Sequence, residues 1–189
     1  MSYLLALETS FGFYSLALFK DEALVDTLIS TEVNKQAELL IPSIEELLKR
    51  NKLSYKDLKY LAVGIGPGSF TGLRVACSIA KGLAYPHDLP LIPVSTLGTI
   101  AFAVREQEEY EKAAVLAVMD ARMQQMYWSY FAPGPLVGED RVDAVTDIHI
   151  PDTNPLVLAG VGIDSYWPAF PDRLKAQIIT QIITEIILS

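Results

Sequence analysis

The segment from residue 64 to residue 74, GIGPGSFTGLR, combines closely spaced glycines with hydroxyl side chains. Backbone N–H groups at such a turn, and at the start of a following helix, can bind an anion because glycine lets the main chain approach it closely. The spacing G-x-G-x-G differs from the G-x-G-x-x-G of dinucleotide-binding loops, and no Lys-Ser or Lys-Thr pair follows as a P-loop requires. Two interpretations stay open: an anion site, or a tight strand-to-helix connection that needs glycine.

A second candidate, Glu8-Thr9-Ser10, ends the first apolar run of the chain. A carboxylate beside two hydroxyl groups at the end of a strand can hold a hydrated metal ion or a phosphate group. The alternative is an ordinary solvated strand end, and these three residues alone favour it. Asp120-Ala121-Arg122 presents a similar choice between a polar site and an ion pair that fixes a turn, and the turn is favoured.

Other reactive side chains are sparse. Neither His87 nor His149 has a second histidine at ligand spacing, so the sequence predicts no metal site. No G-x-S-x-G motif is present, and we predict no catalytic residue. Cys77 lies in the middle of an expected helix on an apolar face, where a packed, unreactive thiol is typical.

Hydrophobic periodicity places these motifs on alternating strands and helices. Period-two patterns and short apolar runs predict strands at 3–7, 14–20, 23–29, 60–65, 91–94, 113–119, 126–131 and 156–159. Apolar residues three and four apart predict helices at 36–50, 73–85, 96–104 and 174–188. The segment 133–155 is rich in Pro, Gly and Asp and predicts a loop. An antiparallel start followed by strand–helix alternation indicates an α/β fold with mixed sheets flanked by helices.

The composition indicates a globular chain from a reducing compartment. Hydrophobic residues make up 51% of the 189 and charged residues 20%, which is enough to bury a core. A single cysteine excludes an intramolecular disulfide and favours the cytoplasm. The net charge of −8 opposes binding of nucleic acid by this chain alone. No apolar stretch is long enough to predict a membrane span.

Several of these segments together resemble the bacterial TsaB family, also called YeaZ. The strongest match is GPGSFTGLR at 66–74, which continues as IAKGLA at 79–84. LALETS at 5–10, PVSTL at 93–97, DARM at 120–123 and YW at 127–128 support it. The similarity covers most of residues 3–130, and GVG at 160–162 continues it weakly.

The resemblance implies the fold of actin-like ATPases and sugar kinases, a ribonuclease H-like architecture of two lobes. We expect an N-terminal lobe at residues 1–100 and a second lobe at 101–189, shortened at its C-terminal end relative to the family. The predicted helix at 174–188 would pack on the sheet of the second lobe, because an apolar helix needs cover. In the intact protein a further segment would follow it.

The resemblance also implies a function without chemistry of its own. Family members help to make threonylcarbamoyladenosine next to the anticodon of tRNA, and TsaB is the non-catalytic scaffold or activator of the catalytic subunit TsaD. The expected partners are a TsaD-like subunit, a TsaE-like ATPase and a second copy of the chain in a homodimer. Contact with tRNA would come only through the complex, and no membrane is involved. No intrinsic cofactor is expected, and ATP or ADP would bind only at a composite site with a partner.

Departures from the family pattern concern nucleotide binding. Glu8 stands where family members often have aspartate, Gln36 where a histidine is common, and Thr9-Ser10-Phe11 lacks the glycine of the superfamily's first phosphate loop. These differences argue against nucleotide binding by the chain alone. The alternative function is an independent small-molecule kinase or ATPase. Its candidate nucleotide-binding residues are Glu8, Thr9, Ser10, Gly66, Pro67, Gly68 and Ser69.

The helix predicted at 73–85 has a broad apolar face. At about 100° per residue, its apolar side chains cover roughly 200° of the circumference, which is wider than packing on one side requires. Either the second face is buried inside the domain or it meets another protein, and Ala76 and Ala80 would let helices approach closely. Family members use this helix and the one at 36–50 for self-association and for pairing with TsaD. The predicted partner interface is Gln36, Leu39, Leu40, Ser43, Leu47, Arg74, Val75, Ala76, Ile79, Ala80 and Leu83.

Overall fold

A computed structural model describes residues 2–30 and 32–183 of the chain. These residues form two compact units, the first ending at Thr96 and the second beginning at Leu97. In the part of the chain that the structure describes, no helix is long and apolar enough to cross a membrane. Each unit is built on its own sheet of five strands.

The sheet of the first unit is mixed. Its strands are β1 (Tyr3–Glu8), β2 (Tyr14–Lys20), β3 (Ala23–Ser30), β4 (Leu58–Gly64) and β5 (Leu91–Val94), in the spatial order β3-β2-β1-β4-β5. The first three strands pair antiparallel as a meander, whereas β4 and β5 run parallel to β1. The C-terminal ends of β1 and β4 therefore lie at the same edge of the sheet.

Two helices, α1 (Gln36–Arg50) and α2 (Phe70–His87), pack against this sheet. The core contains alternate residues of the strands, such as Leu5 and Leu16, and residues of both helices, such as Ile44 and Ala80, all with essentially no exposure. Helix α2 begins three residues earlier than the apolar pattern predicts. The Ser69 side chain caps it by accepting the N–H of Gly72 at 3.2 Å.

The second unit begins with α3 (Thr96–Arg105), whose first residue is the last of the first unit. Its sheet has the order β10-β9-β6-β7-β8. The strands are β6 (Ala114–Arg122), β7 (Gln125–Phe131), β8 (Arg141–Ala144), β9 (Leu156–Val161) and β10 (Ile178–Ile183). Strands β6, β9 and β10 are parallel, and β7 and β8 pair antiparallel at one side. The short helices α4 (Ile163–Tyr166) and α5 (Asp172–Lys175) connect β9 to β10.

The predicted helix at 174–188 is wrong over the described residues. Helix α5 ends at Lys175, and residues 178–183 form β10, which pairs parallel with β9. The isoleucines of this segment and Thr180 are β-branched and favour a strand. A buried parallel strand is also a nearly continuous run of apolar residues, which explains why the pattern was mistaken for a helix. Residues 184–188 of the prediction lie outside the described residues.

The predicted loop at 133–155 is also interrupted by structure. Residues 141–144 form β8, and residues 145–147 form a turn of 3-10 helix. Val145 and Ile148 are buried in the core of the second unit, so this segment packs although it is rich in loop-forming residues. The predicted class, mixed sheets flanked by helices, is confirmed.

Candidate functional site

The two motifs singled out in the sequence meet at one edge of the first sheet. Glu8 ends β1 and Gly64 ends the neighbouring parallel strand β4. The N–H of Ser69 donates to the carbonyl oxygen of Ser10 at 2.7 Å, which joins the loop after β1 to the loop before α2. The predicted residues Gly66, Pro67 and Gly68 lie in the loop between Gly64 and Ser69, and the Gly66–Pro67 peptide bond is cis.

The Glu8 carboxylate turns back on its own main chain. Its Oε1 atom accepts the N–H groups of Thr9 and Ser10, each at 2.6 Å. Its Oε2 atom accepts the hydroxyl of Thr96 at 2.9 Å. A β-carbon on Gly64 would stand closer than 3.0 Å to the carboxylate, so only glycine leaves room for it there. Glu8 is therefore fixed from three sides.

The hydroxyl groups of the motif are also engaged within the chain. Thr9 is fully buried and donates to the carbonyl oxygen of Gly72 at 2.9 Å. The Ser10 and Thr96 hydroxyl oxygens lie 2.8 Å apart. Because the Thr96 hydroxyl already donates its hydrogen bond to Glu8, the Ser10 hydroxyl is the donor in this pair. The Thr96 N–H donates to the carbonyl oxygen of Gly66 at 2.8 Å. These three hydroxyl groups and the Thr96 N–H are therefore bonded within the chain rather than free for a ligand.

Thr96 is the member of this cluster that the sequence analysis missed as a site residue. It is 86 or more positions away from its partners Glu8 and Ser10, so no local spacing connects them. The available signal in the sequence was a pair of hydroxyl residues, Ser95 and Thr96, after the predicted strand at 91–94. Strand order, which the sequence alone does not specify, brings it to the same sheet edge.

These contacts do not fit a nucleotide phosphate. The N–H groups of Thr9 and Ser10, which would face a phosphate group, already share the oxygen of Glu8. A phosphate brought to the same place would also meet the negative charge of that carboxylate. Within residues 2–30 and 32–183, no group of three or more His, Cys, Asp or Glu side chains could hold a metal ion.

Five of the eleven predicted interface residues are buried inside the first unit. Leu40, Leu47, Ala76 and Ala80 have no exposed surface and belong to its core. Gln36 is 4% exposed, and its amide donates to the carbonyl oxygen of Phe11 at 3.3 Å. The structure therefore gives these side chains intramolecular contacts. The breadth of the apolar face of α2 is partly explained by this packing.

The other predicted interface residues reach the surface of α1 and α2. Val75, Ile79 and Leu83 repeat every four residues on α2 and are half-buried, as is Leu39 on α1. We call these four residues the helix ridge. Ser43 is half-buried with its hydroxyl 2.7 Å from that of Tyr14. Arg74 is exposed and its guanidinium lies 3.9 Å from the centre of the Phe70 ring.

Three exposed apolar side chains of these helices were not in the prediction. Phe70 is 67% exposed, Tyr85 92% and Ile41 45%. A helical projection places Tyr85 on the outer side of α2, opposite Ala76, and Phe70 on the side opposite Ile79. The predicted interface on α2 combined the buried Ala76 and Ala80 with Val75 and Ile79 at the edge of the apolar face, and it did not include these exposed side chains.

The Asp120-Ala121-Arg122 segment is part of a hairpin turn, as the sequence analysis favoured, but the contact that fixes it is a hydrogen bond from the main-chain N–H of Arg122 and not the expected ion pair. Asp120 Oδ1 accepts the N–H of Arg122 at 2.7 Å and the hydroxyl of Tyr166 at 2.9 Å. The hydrogen bond to Asp120 raises the pKa of Tyr166 above its ordinary value. Arg122, Met123 and Gln124 all have positive φ angles, which the tight connection between β6 and β7 requires.

Comparison with known proteins finds similar sequences and similar solved structures. Residues 32–162 match the family model described as TsaD, tRNA N6-adenosine threonylcarbamoyltransferase. The tRNA threonylcarbamoyladenosine biosynthesis protein TsaB of Escherichia coli is 34% identical over 177 residues, which cover 91% of this chain and 75% of that protein. The TsaB protein of Haemophilus influenzae is 41% identical over 132 residues, which cover 67% of this chain.

The chain spans about half, 52%, of the Haemophilus protein that it matches. The structure of YeaZ from Pseudomonas aeruginosa superposes with a TM-score of 0.84 and 27% sequence identity, covering 100% of this chain and 89% of that one. The architecture expected from the sequence resemblance, an actin-like arrangement of mixed sheets and helices, is thereby confirmed.

Proposed function

Because the chain belongs to the TsaB family, we propose that it acts in tRNA threonylcarbamoyladenosine biosynthesis as a protein-interaction subunit that performs no chemistry itself. Its partner would be a TsaD-like catalytic subunit, which it holds in a competent state. The same surface would serve a homodimer of the free chain. A TsaE-like ATPase would complete the assembly in the cytoplasm, and tRNA would be contacted through the complex.

The observation that carries this proposal is the helix ridge. Its four apolar residues are neither fully buried in the core of the first unit nor fully exposed. Half-buried apolar residues repeating every four positions form a ridge that can pack into the groove of another helix. Exposed Phe70 and Tyr85 lie on other sides of the same helix and are not part of this ridge. A helical partner would bury the four ridge residues together.

The closed state of the Glu8 cluster supports a role without catalysis. An independent kinase or ATPase would need a carboxylate free to contact a metal ion or substrate. Glu8 instead accepts three hydrogen bonds from Thr9, Ser10 and Thr96. In our proposal ATP or ADP therefore binds only at a composite site completed by a partner.

The proposal is tested by binding to the TsaD-like subunit of the same organism, measured by sedimentation. Ile79→Glu places a charge on the ridge, where association would desolvate it without a partner. We expect its affinity to fall by about a hundredfold, with loss of modified tRNA in a reconstituted assay. Ser78→Glu is the matched control because Ser78 is exposed next to Ile79 on the same helix. It should bind within a few-fold of the unaltered chain.

Circular dichroism separates a changed surface from a changed fold. Both variants should keep the helical signal and the unfolding midpoint of the unaltered chain to within a few degrees. Undiminished binding by a folded Ile79→Glu variant would show that the partner surface lies elsewhere. If the unaltered chain itself does not bind the TsaD-like subunit, the proposed function is wrong.

A further inference from the structure

We propose that the Glu8 carboxylate is a built-in anion that occupies a latent oxyanion site of this chain and closes it to phosphate. The site is the pair of N–H groups of Thr9 and Ser10, which converge on the single oxygen Oε1 at 2.6 Å each. Consecutive N–H groups that point at one place form a concave cationic surface that suits an oxyanion. Hydrogen bonds from such donors to a charged oxygen are short and strong.

The surroundings hold the carboxylate in this position. The Thr96 hydroxyl donates to Oε2 and is itself held by the Ser10 hydroxyl, so the second oxygen is fixed from the opposite side. The missing side chain at Gly64 provides the space that the carboxylate fills. Thr9, Ser10 and Thr96 are each at most 2% exposed, which makes the cluster a built site rather than a mobile surface contact.

The same contacts keep anions from solution away from the N–H groups of Thr9 and Ser10. A phosphate or carboxylate from solution can reach the two N–H groups only if Glu8 leaves them, and it would then face the displaced negative charge nearby. The glycine-rich loop also offers no free N–H at Ser69, because that group donates to the carbonyl oxygen of Ser10. The chain's own side chain thus takes the place of the ligand that this sheet edge could otherwise bind.

Removal of the carboxylate should therefore create an anion site. Calorimetric titration with inorganic phosphate, and separately with ADP, compares the unaltered chain with Glu8→Ala and Glu8→Gln. We expect Glu8→Ala to bind phosphate at least about tenfold more tightly than the unaltered chain, because the two N–H groups become free. Glu8→Gln is the matched control. Its amide oxygen can still accept both N–H groups and its amide nitrogen can donate to the Thr96 hydroxyl, so it should stay closed.

A thermal measurement reports the same site independently. Phosphate should raise the unfolding midpoint of Glu8→Ala but leave those of Glu8→Gln and the unaltered chain unchanged, because only a ligand of the folded state stabilises it. Equal phosphate affinity in all three proteins would overturn the proposal. It would also be overturned by a folded Glu8→Ala variant that gains no phosphate affinity, or by Glu8→Gln gaining as much affinity as Glu8→Ala.

A measurement on the unaltered protein decides the matter if Glu8→Ala does not fold. The amide signals of Thr9 and Ser10 in nuclear magnetic resonance spectra should exchange slowly with solvent, because both N–H groups are hydrogen-bonded and buried. They should not move when tens of millimolar phosphate are added. Phosphate-dependent shifts confined to these two amides would show that the site is open.

Discussion

Gly72 and Gly82 lie on the same helix and differ in what stands beside their α-carbons. A β-carbon on Gly72 would come closer than 3.0 Å to the carbonyl oxygen of Thr9, a main-chain atom that cannot move without disturbing β1. A β-carbon on Gly82 would meet nothing within 4 Å. The first glycine therefore serves the close contact between α2 and the Glu8 cluster, and the second has no such role.

Alanine substitution at the two positions should have opposite effects. We expect Gly72→Ala to lower the free energy of unfolding by about 2–4 kcal/mol, because the helix must shift away from Thr9. Gly82→Ala should raise it by about 0.5–1 kcal/mol, since alanine is the better helix former. Urea titration followed by circular dichroism measures both values. An unchanged free energy of unfolding for Gly72→Ala would mean that α2 and the loop after β1 are not in contact.

Between elements, the pair Asp26–Arg50 joins the edge strand β3 to the end of α1. Arg50 donates to Asp26 through Nε at 2.6 Å and Nη2 at 2.7 Å, and Asn51 donates at 2.6 Å. The hydrogen bonds from Arg50, and then from Asn51, lower the pKa of Asp26 below its ordinary 3.8. A carboxyl group with a lowered folded-state pKa stabilises the fold above the unfolded-state pKa. That contribution is lost as the pH falls through the folded-state pKa.

The Asp26→Asn variant should therefore differ from the unaltered chain only when the carboxylate is charged. At neutral pH it should be less stable by about 1 kcal/mol or less, as for other partly exposed ion pairs. The two unfolding free energies should converge as the pH falls below 3.8, the ordinary pKa of this group. Glu22→Gln, an exposed acid in the turn between β2 and β3, is the control. A pH-independent difference for Asp26→Asn would contradict the assigned role of the charge.

Elements whose hydrophobic pattern fits only a strand or only a helix could be predicted from the sequence. Elements whose pattern fits both could not. In the meander β1–β3, a short apolar run in β1 and period-two alternation in β2 each fit a strand alone, so the three strands were placed correctly to within one residue at each end. The Ile178–Ile183 segment has paired apolar residues that fit both a helix face and a buried strand. The segment forms a strand rather than a helix because it pairs in parallel with β9. The local sequence does not show that this pairing partner is present.

The candidate site shows the same limit for side-chain contacts. The loops containing Glu8 and Gly66 were candidates from residue type, although the three residues at Glu8 alone favoured an ordinary strand end, and the structure brings the two loops together at one sheet edge. That the site is closed by its own carboxylate depends on Thr96, which is distant in sequence. Residue types therefore identified the place, and the strand order determined its state.

On the scale of the whole molecule, charge and family membership lead to different expectations for tRNA. Members of the TsaB family are named for a tRNA modification, yet this chain has 23 acidic and 15 basic residues. A net charge of −8 repels a phosphate backbone over distances set by the salt concentration. Our proposal resolves the difference by assigning tRNA contact to the assembled complex.

This assignment predicts how tRNA binding depends on the partner. Fluorescence anisotropy of labelled tRNA at physiological salt should show no saturable binding by the chain alone, because its sequence contains no concentrated run of basic residues to release counterions. Addition of the TsaD-like subunit should produce binding that weakens steeply with added salt. The Ile79→Glu chain should not enter the tRNA-bound species, whereas Ser78→Glu should. Tight, salt-dependent binding of tRNA by the chain alone would contradict the scaffold role and indicate a direct nucleic-acid surface.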